Sequence, residues 1–393
     1  MLIPLWCEYL FWAEVSLQGC LGKRSKESTF FFCACGLIAC ENYQSTMAGN
    51  SSLNAAMKAK NNEFYTRLED IENELKHYKS HFRDKTVLCN CDDPRISNFF
   101  HYFSYNFEKL GLKKLITTCY KNQNRDLFSQ NDSEKAIWLE YLGDKNGNRI
   151  PDPEEIGIHY FNGDGDFRSP ECVELLKDAD IVVTNPPFSY FREYVAQLIK
   201  YKKKFLIIGN LNAIHYKEIF PLIKENNLWI GYTSPKLFKI PENAEGKSVK
   251  IIDGIRYQQF GNIGWFTNLD IEKRHEDMVL FKTYNPEEHP KYDNFDAIEC
   301  CPTAMIPMDY DGLMGVPVTF LDKYNPEQFE IIGILNHGCD SEYDLAKPVL
   351  NGKEKFSRIL IRRKKNNIID LNYQQSESEL PMAAEEQAKY NKL

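Results

Sequence analysis

The chain has no apolar stretch approaching the ~20 residues that a membrane-spanning helix needs. Residues 30–40 are apolar but too short, and Glu8 and Glu14 interrupt the apolar residues before them. It has no global positive field either, because the formal net charge is -8 over 393 residues. A nucleic-acid partner would therefore need local clusters of cations. Lys200, Lys202, Lys203 and Lys204 form one candidate, and Arg362, Arg363, Lys364 and Lys365 form another. The 12 cysteines include no Cys-x-x-Cys pair and no Cys/His spacing suited to zinc. That usage points to a reducing, cytoplasmic setting without disulfides. Gly-x-Ser-x-Gly, a P-loop and His-Glu-x-x-His are all missing. So is the His-x-Glu with Pro-Cys-x-x-Cys of base deaminases. Cytosine C5 chemistry needs a Pro-Cys nucleophile, and only the reverse order, Cys301-Pro302, occurs. There is no internal repeat.

What is present suits a folded globular chain of one large or two ordinary domains, with 43% hydrophobic residues. Residues 1–46 stand apart. They hold Cys7, Cys20, Cys33, Cys35 and Cys40, and the sequence from Met47 reads like a natural start. This extension is expected to be disordered or not native. Residues 61–79 place Phe64, Leu68, Ile71, Leu75 and Tyr78 three and four apart, the spacing of an amphipathic helix. Strands are predicted at 86–91, 115–120, 136–142, 181–184, 205–209 and 228–232. Helices are predicted at 96–110, 171–177, 190–201 and 215–226, and an aromatic β hairpin at 250–269. That alternation is a doubly wound α/β domain over residues 47–270. Residues 271–365 lose the helices. Short strands at 278–284, 315–321, 330–335 and 356–361 alternate with Pro and Gly and predict a β-rich region. Residues 366–393 are a polar tail.

Ile181-Val182-Val183-Thr184 is a short β-branched run that reads as a buried parallel strand. Pro186 and Pro187 cannot continue a ladder, so the strand stops there. Asn185 and Phe188 are then held on a stiff turn at the carboxyl edge, where open α/β sheets bind ligands. This arrangement suits attack by an exocyclic amine. The Asn185 side-chain oxygen and the Pro186 carbonyl can each accept one N–H of an adenine N6 amine. Phe188 can stack on the base, worth ~1–3 kcal/mol. Methyl transfer from a sulfonium then needs alignment more than an acid or base. The plainer alternative is a turn that only ends a strand.

Three further stretches carry possible chemistry. Asp92 and Asp93 follow the first strand, in a segment through Phe100 without glycine, which argues against phosphate binding. They suit a cationic cofactor with ribose hydroxyls, or Asp93-Pro94 simply caps a helix. Gly165-Asp166-Phe167 could hold an adenine ring, or form a solvated turn. Asp144, Asn146, Asn148, Asp152 and Glu155 nearly fit a calcium loop. Arg149 stands where the sixth-position glycine is required and flanking helices are not evident, so a plain polar loop is expected and no metal.

Taken together, these stretches resemble the EcoRI-type adenine-specific DNA methyltransferases. The likeness also rests on Glu63-Phe64-Tyr65-Thr66, on residues 89–107, on Gly254 to Asn262 and on Asp309 to Pro317. It spans residues 47–365. It implies a Rossmann-like seven-stranded methyltransferase sheet, S-adenosylmethionine as cofactor, and N6 methylation of an adenine in duplex DNA. Tyr65 and Thr66 would touch the methionine part of the cofactor. Asn90, Asp92 and Asp93 would line the methionine and ribose pocket, and Asp166 and Phe167 would hold the cofactor adenine. Asn185, Pro186, Pro187 and Phe188 would be catalytic. The target base must be flipped out of the duplex, and Trp265 or Phe266 is expected to wall it opposite Phe188, with core packing as the alternative. The β-rich region would read the DNA sequence. A cytoplasmic monomer is expected, with no membrane partner, part of or related to a restriction-modification system in which any cognate endonuclease would form no stable complex with it. The chain departs from most methyltransferases at Ser97 and Asn98, which replace glycines, and at Thr118-Cys119-Tyr120, which lacks the usual ribose-binding acid. Alternatives are the same chemistry on RNA or a protein amide, or a DNA-binding protein without catalysis.

Overall fold

The computed structural model describes residues 65–90, 97–119, 136–148, 151–152, 154–240, 248–336 and 344–364. The atypical extension, the tail, Asp92 and Asp93 lie outside the described residues. The chain enters through β1 (Tyr65–Thr66) and α1 (Leu68–Leu75). Next come β2 (Thr86–Cys89), α2 (Asn98–Tyr105), α3 (Phe107–Leu110), β3 (Lys114–Thr118), β4 (Ile137–Tyr141) and β5 (Ile156–Tyr160). After these come α4 (Pro170–Asp178), β6 (Ile181–Thr184), α5 (Phe191–Lys200), β7 (Lys204–Asn210), α6 (Phe220–Lys224) and β8 (Trp229–Ile230). The next strands are β9 (Leu237–Lys239), β10 (Val249–Ile252), β11 (Ile255–Gln259) and β12 (Ile263–Thr267).

The main sheet has eight strands in the order β5-β4-β3-β2-β6-β7-β12-β8. The β3-β2-β6-β7 centre is parallel, while β4 and β12 run antiparallel to their neighbours. This is a mixed α/β fold with one strand more than the family likeness implied. The strand without a counterpart in the sequence reading is β5, which forms a hairpin with β4. It was missed because Ile156-Gly157-Ile158-His159-Tyr160 sits in a polar stretch with half-exposed side chains.

Alternation along the central strands sorts side chains to two cores. Ile181 and Val183 join Leu206, Ile208 and Trp265 with residues of α1 and α2 on one face. Val182 joins Phe205, Ile207 and Phe266 with residues of α5 and α6 on the other. The second core continues into a C-terminal sheet of β13 (Ala297–Glu299), β14 (Leu313–Pro317), β15 (Phe329–Leu335), β16 (Asp344–Leu345) and Arg358–Arg363. Residues 278–284, expected as a strand, form only an isolated bridge from Lys282 to Pro307. The expected helix at 215–226 shortens to α6, because a proline at position 221 belongs in a first turn.

The aromatic hairpin expected at 250–269 splits. β10 and β11 join β9 and β1 in a separate four-stranded sheet, whereas β12 pairs with β7. Among the described residues no helix is long and apolar enough to cross a membrane. Nor does any group of His, Cys, Asp and Glu stand ready to hold a metal ion. In the calcium-like loop the amides of Asn146 and Asn148 both donate to Asp152 at 2.7 Å, and the backbone N–H of Lys145 donates to Glu155 at 2.6 Å.

Candidate active site

β2 and β6 are neighbours, but the chain leaves β2 towards β3 on one side and returns to β6 from beyond β5. Their carboxyl ends therefore flank a topological switch point, the place where open α/β sheets bind ligands. Asn90 follows β2 there and Asn185 follows β6, and both are buried. They are tied together. The Thr184 hydroxyl donates to the Asn90 backbone carbonyl, and the Tyr194 hydroxyl donates to Asn90 Oδ1. Tyr194 comes from α5, the helix that Asn185-Pro-Pro-Phe leads into. The turn closes with the Tyr190 N–H on the Pro187 carbonyl at 2.9 Å.

Phe188 is half-buried, and the edge-to-face neighbour of its ring is Phe260, at 6.3 Å between centroids. Phe260 in turn packs on Phe238 of β9 at 5.7 Å. Trp265 and Phe266, expected opposite Phe188, are instead sealed in the two cores. They are consecutive on β12 in mid-sheet, so one points to each face; Trp265 meets Phe99, and Phe266 meets Phe191.

Asp166 and Phe167 follow β5 in a turn that needs glycine. Gly165 has φ +75, and a Cβ there would lie 2.5 Å from the Cys119 carbonyl oxygen. Phe167 packs on Tyr194 at 5.1 Å, and its carbonyl accepts from Gln197 Nε2 at 3.0 Å. These contacts bring Asn90 and Phe167 onto one tyrosine. Asp166 is held by Arg168 through a 2.7 Å ion pair. That side-chain hydrogen bond outweighs burial and keeps the Asp166 carboxyl below its ordinary value. The Arg168 guanidinium also lies over Tyr190 at 4.7 Å and over Phe167 at 5.2 Å.

Tyr65 and Thr66 reach the same edge through two bonds of different kinds. β1 pairs with β9, and the Thr66 carbonyl accepts from Asn98 Nδ2 at 2.7 Å at the start of α2. Asn98, the unusual residue in a glycine position, is thus a fastener. Thr66 Oγ1 and Ser189 Oγ are buried without a hydrogen-bond partner among the described residues.

The sequence pattern assigns no role to Tyr194, Arg168 or Phe260, and marks Asn98 only as a departure from the family. The signal for Tyr194 was available, since it lies one and a half turns beyond Phe188 on the helix the motif starts. The basic clusters are largely engaged inside the protein. Lys203 donates to the Ala179 carbonyl at 2.6 Å and Lys204 to the Asn268 carbonyl at 3.1 Å. Arg363 pairs with Asp311 at 3.3 Å and Lys364 donates to the Pro326 carbonyl at 2.8 Å.

The family model described as adenine-specific methyltransferase EcoRI matches residues 52–378. The chain belongs to this family. The type II methyltransferase M.EcoRI of Escherichia coli is 51% identical over 326 residues, covering 81% of this chain and 98% of the relative. M.MpnI of Mycoplasma pneumoniae, also a type II methyltransferase, is 39% identical over 339 residues, covering 80% and 99%. M.MgeORF184P of Mycoplasma genitalium, again a type II methyltransferase, is 38% identical over 332 residues, covering 79% and 98%. No solved structure matches the chain. Family membership makes the protein an adenine-specific methyltransferase.

Proposed function

We propose that this methyltransferase transfers a methyl group from S-adenosylmethionine to the N6 amine of an adenine flipped out of duplex DNA, within a type II restriction-modification system. The observation that carries the assignment is Asn185, buried at the carboxyl end of β6 and coupled through Thr184 to Asn90 at the end of β2. The three relatives are each named a type II methyltransferase, which agrees with DNA as the acceptor.

The donor set suits the cofactor. Thr66 and Ser189 present buried hydroxyls able to take a ligand's hydrogen bonds. Asn90, Asp92 and Asp93 would face the methionine and ribose parts, together with Tyr65 and Thr66. Phe167 would pack on the cofactor adenine. Asp166 can receive its amine only by sharing or displacing Arg168. When bound, the cofactor supplies an electrophilic methyl group on a sulfonium.

Everything else falls to the chain. Asn185 Oδ1 and the Pro186 carbonyl accept the two N–H bonds of the target amine. That draws the nitrogen out of conjugation and points its lone pair at the methyl carbon. So held, the amine would be placed to take the methyl group that the cofactor supplies, and the same two acceptors would keep it in position until its extra proton passes to solvent. Phe188, braced by Phe260, offers a stacking face to the extrahelical base. Burial of Asn90 and Asn185 holds both side chains in fixed positions, so the rate would come from alignment.

The test is methyl transfer from labelled S-adenosylmethionine to unmethylated duplex DNA, followed by mapping of N6-methyladenine. Asn185→Ala should fold, bind cofactor and lose transfer by about 100-fold or more. A variant with near wild-type activity would remove Asn185 from the mechanism. Label in RNA or protein but not in DNA would keep the chemistry and change the acceptor.

A further inference from the structure

The β10–β11 hairpin has no part in the chemistry above, yet it is rooted at the catalytic edge. β11 runs directly into Phe260, which braces Phe188. β9 beside it pairs with β1, whose Thr66 carbonyl is fastened to α2. The hairpin turn is Asp253-Gly254, with φ 48 and 77, the two positive values that a tight two-residue hairpin requires. A turn of this kind is stiff and keeps the strand register.

The tip is apolar where a solvated hairpin would be polar. Ile251 is 67% exposed, Ile252 41% and Ile255 39%. The pairing register places Ile252 opposite Ile255 and Ile251 opposite Arg256. Opposed residues share a face and successive residues alternate. Ile252 and Ile255 therefore occupy one face, with Lys250 and Tyr257 behind them, and Ile251 and Arg256 occupy the other. A hairpin that docks on a protein surface is apolar on one face. This one shows isoleucine on both, with Lys250 exposed on the first face and Arg256 half-buried on the second, which suits insertion between two stacked or facing walls lined by negative charge. From Phe260 back to Ile255 the strand rises by roughly 17 Å at ~3.4 Å per residue. That is about twice the ~8.5 Å depth of a major groove.

We propose that the β10–β11 hairpin is a wedge that enters the target duplex. On this reading Ile251, Ile252 and Ile255 fill the space left by the flipped adenine, and Lys250 and Arg256 meet the flanking phosphates. The inference rests on the methyltransferase assignment and adds positioning residues to it. Inserted aliphatic side chains unstack base steps in other DNA-bending proteins. Here the same element would stabilise the extrahelical state from inside the helix while its root holds Phe188 against the expelled base.

The test uses the full chain with a duplex carrying the mapped site. The triple variant Ile251→Ser, Ile252→Ser, Ile255→Ser changes only exposed side chains, and Ile251→Asp serves as a second variant. Both should keep the wild-type melting temperature and cofactor affinity. Single-turnover methylation of the matched duplex should slow by about 30-fold, the order expected when part of the unstacking cost is no longer met. A 2-aminopurine at the target position should lose most of its fluorescence rise on binding. Placing the target adenine opposite an abasic site, which lowers the cost of flipping, should restore the variants to within about 3-fold of wild type. Wild-type rates on the matched duplex would overturn the wedge. So would equal slowing on matched and abasic duplexes, or a wild-type dimer that the triple variant splits, since the edge would then serve a second copy. A wild type that methylates no duplex would overturn the methyltransferase assignment and the wedge with it.

Discussion

Glu74 is fully buried on α1 and accepts four hydrogen bonds. Oε1 receives the Tyr78 hydroxyl and the Tyr232 N–H, both at 2.8 Å. Oε2 receives the Thr233 N–H at 2.7 Å and the Thr233 hydroxyl at 2.8 Å. The carboxylate thus clamps the segment after β8 onto the helix that follows β1. Glu74→Gln keeps the shape but turns one oxygen into an NH2 group. If the NH2 faces the first pair, the Tyr78 hydroxyl can rotate to accept, and the Tyr232 N–H is stranded. If it faces the second pair, the Thr233 hydroxyl can accept, and the Thr233 N–H is stranded. Either way one buried backbone donor loses its partner, at about 1–3 kcal/mol. Glu74→Ala strands both N–H groups and should cost about 2–6 kcal/mol. Against a total stability of roughly 5–15 kcal/mol, the alanine variant should be near the limit of folding. Urea unfolding followed by far-UV circular dichroism measures both. A glutamine variant as stable as wild type would refute the argument. It would mean that relief from burying the charge offsets the stranded donor.

Tyr194→Phe should leave the packing on Phe167 unchanged and remove the donor to Asn90 Oδ1. Calorimetry should show cofactor binding weakened by about 5- to 30-fold, from roughly 1–2 kcal/mol of lost positioning. Arg168→Gln should release the Asp166 carboxyl from its depressed value. A depressed carboxyl contributes stability above its unfolded value near ~4 and loses it as pH falls through the lower folded value. The gap between wild type and this variant in urea titrations should therefore be widest above about pH 5 and shrink as pH falls below the ordinary carboxyl value near ~4.

The catalytic edge was legible because its constraints are local. Two prolines stop the Ile181 strand wherever it sits, and Asn185 and Phe188 follow by covalent connection. The β-branched run could only be a central strand, and both its faces are buried. Trp265 and Phe266 were harder because an aromatic run has no address of its own. They belong to β12, whose pairing with β7 is a contact between residues some sixty positions apart. That pairing sends one ring into each core and leaves Phe260, the last aromatic before the strand, at the site. Asn98 illustrates the same limit, since its bond to the Thr66 carbonyl spans 32 positions.

Sequence alone therefore determined the α/β class, the order of the central strands' partners in the chain and the residues that end β6, since periodicity and proline act within a few residues. The family likeness was carried in the same letters. Tertiary structure decided the eighth strand, the separation of the β10–β11 hairpin from β12, and the grouping of Asn90, Phe167 and Asn185 around Tyr194 and Thr184. Those depend on which distant surfaces find each other, because burial rewards any close-packed partner and hydrogen-bond geometry selects among them only once the chain has folded.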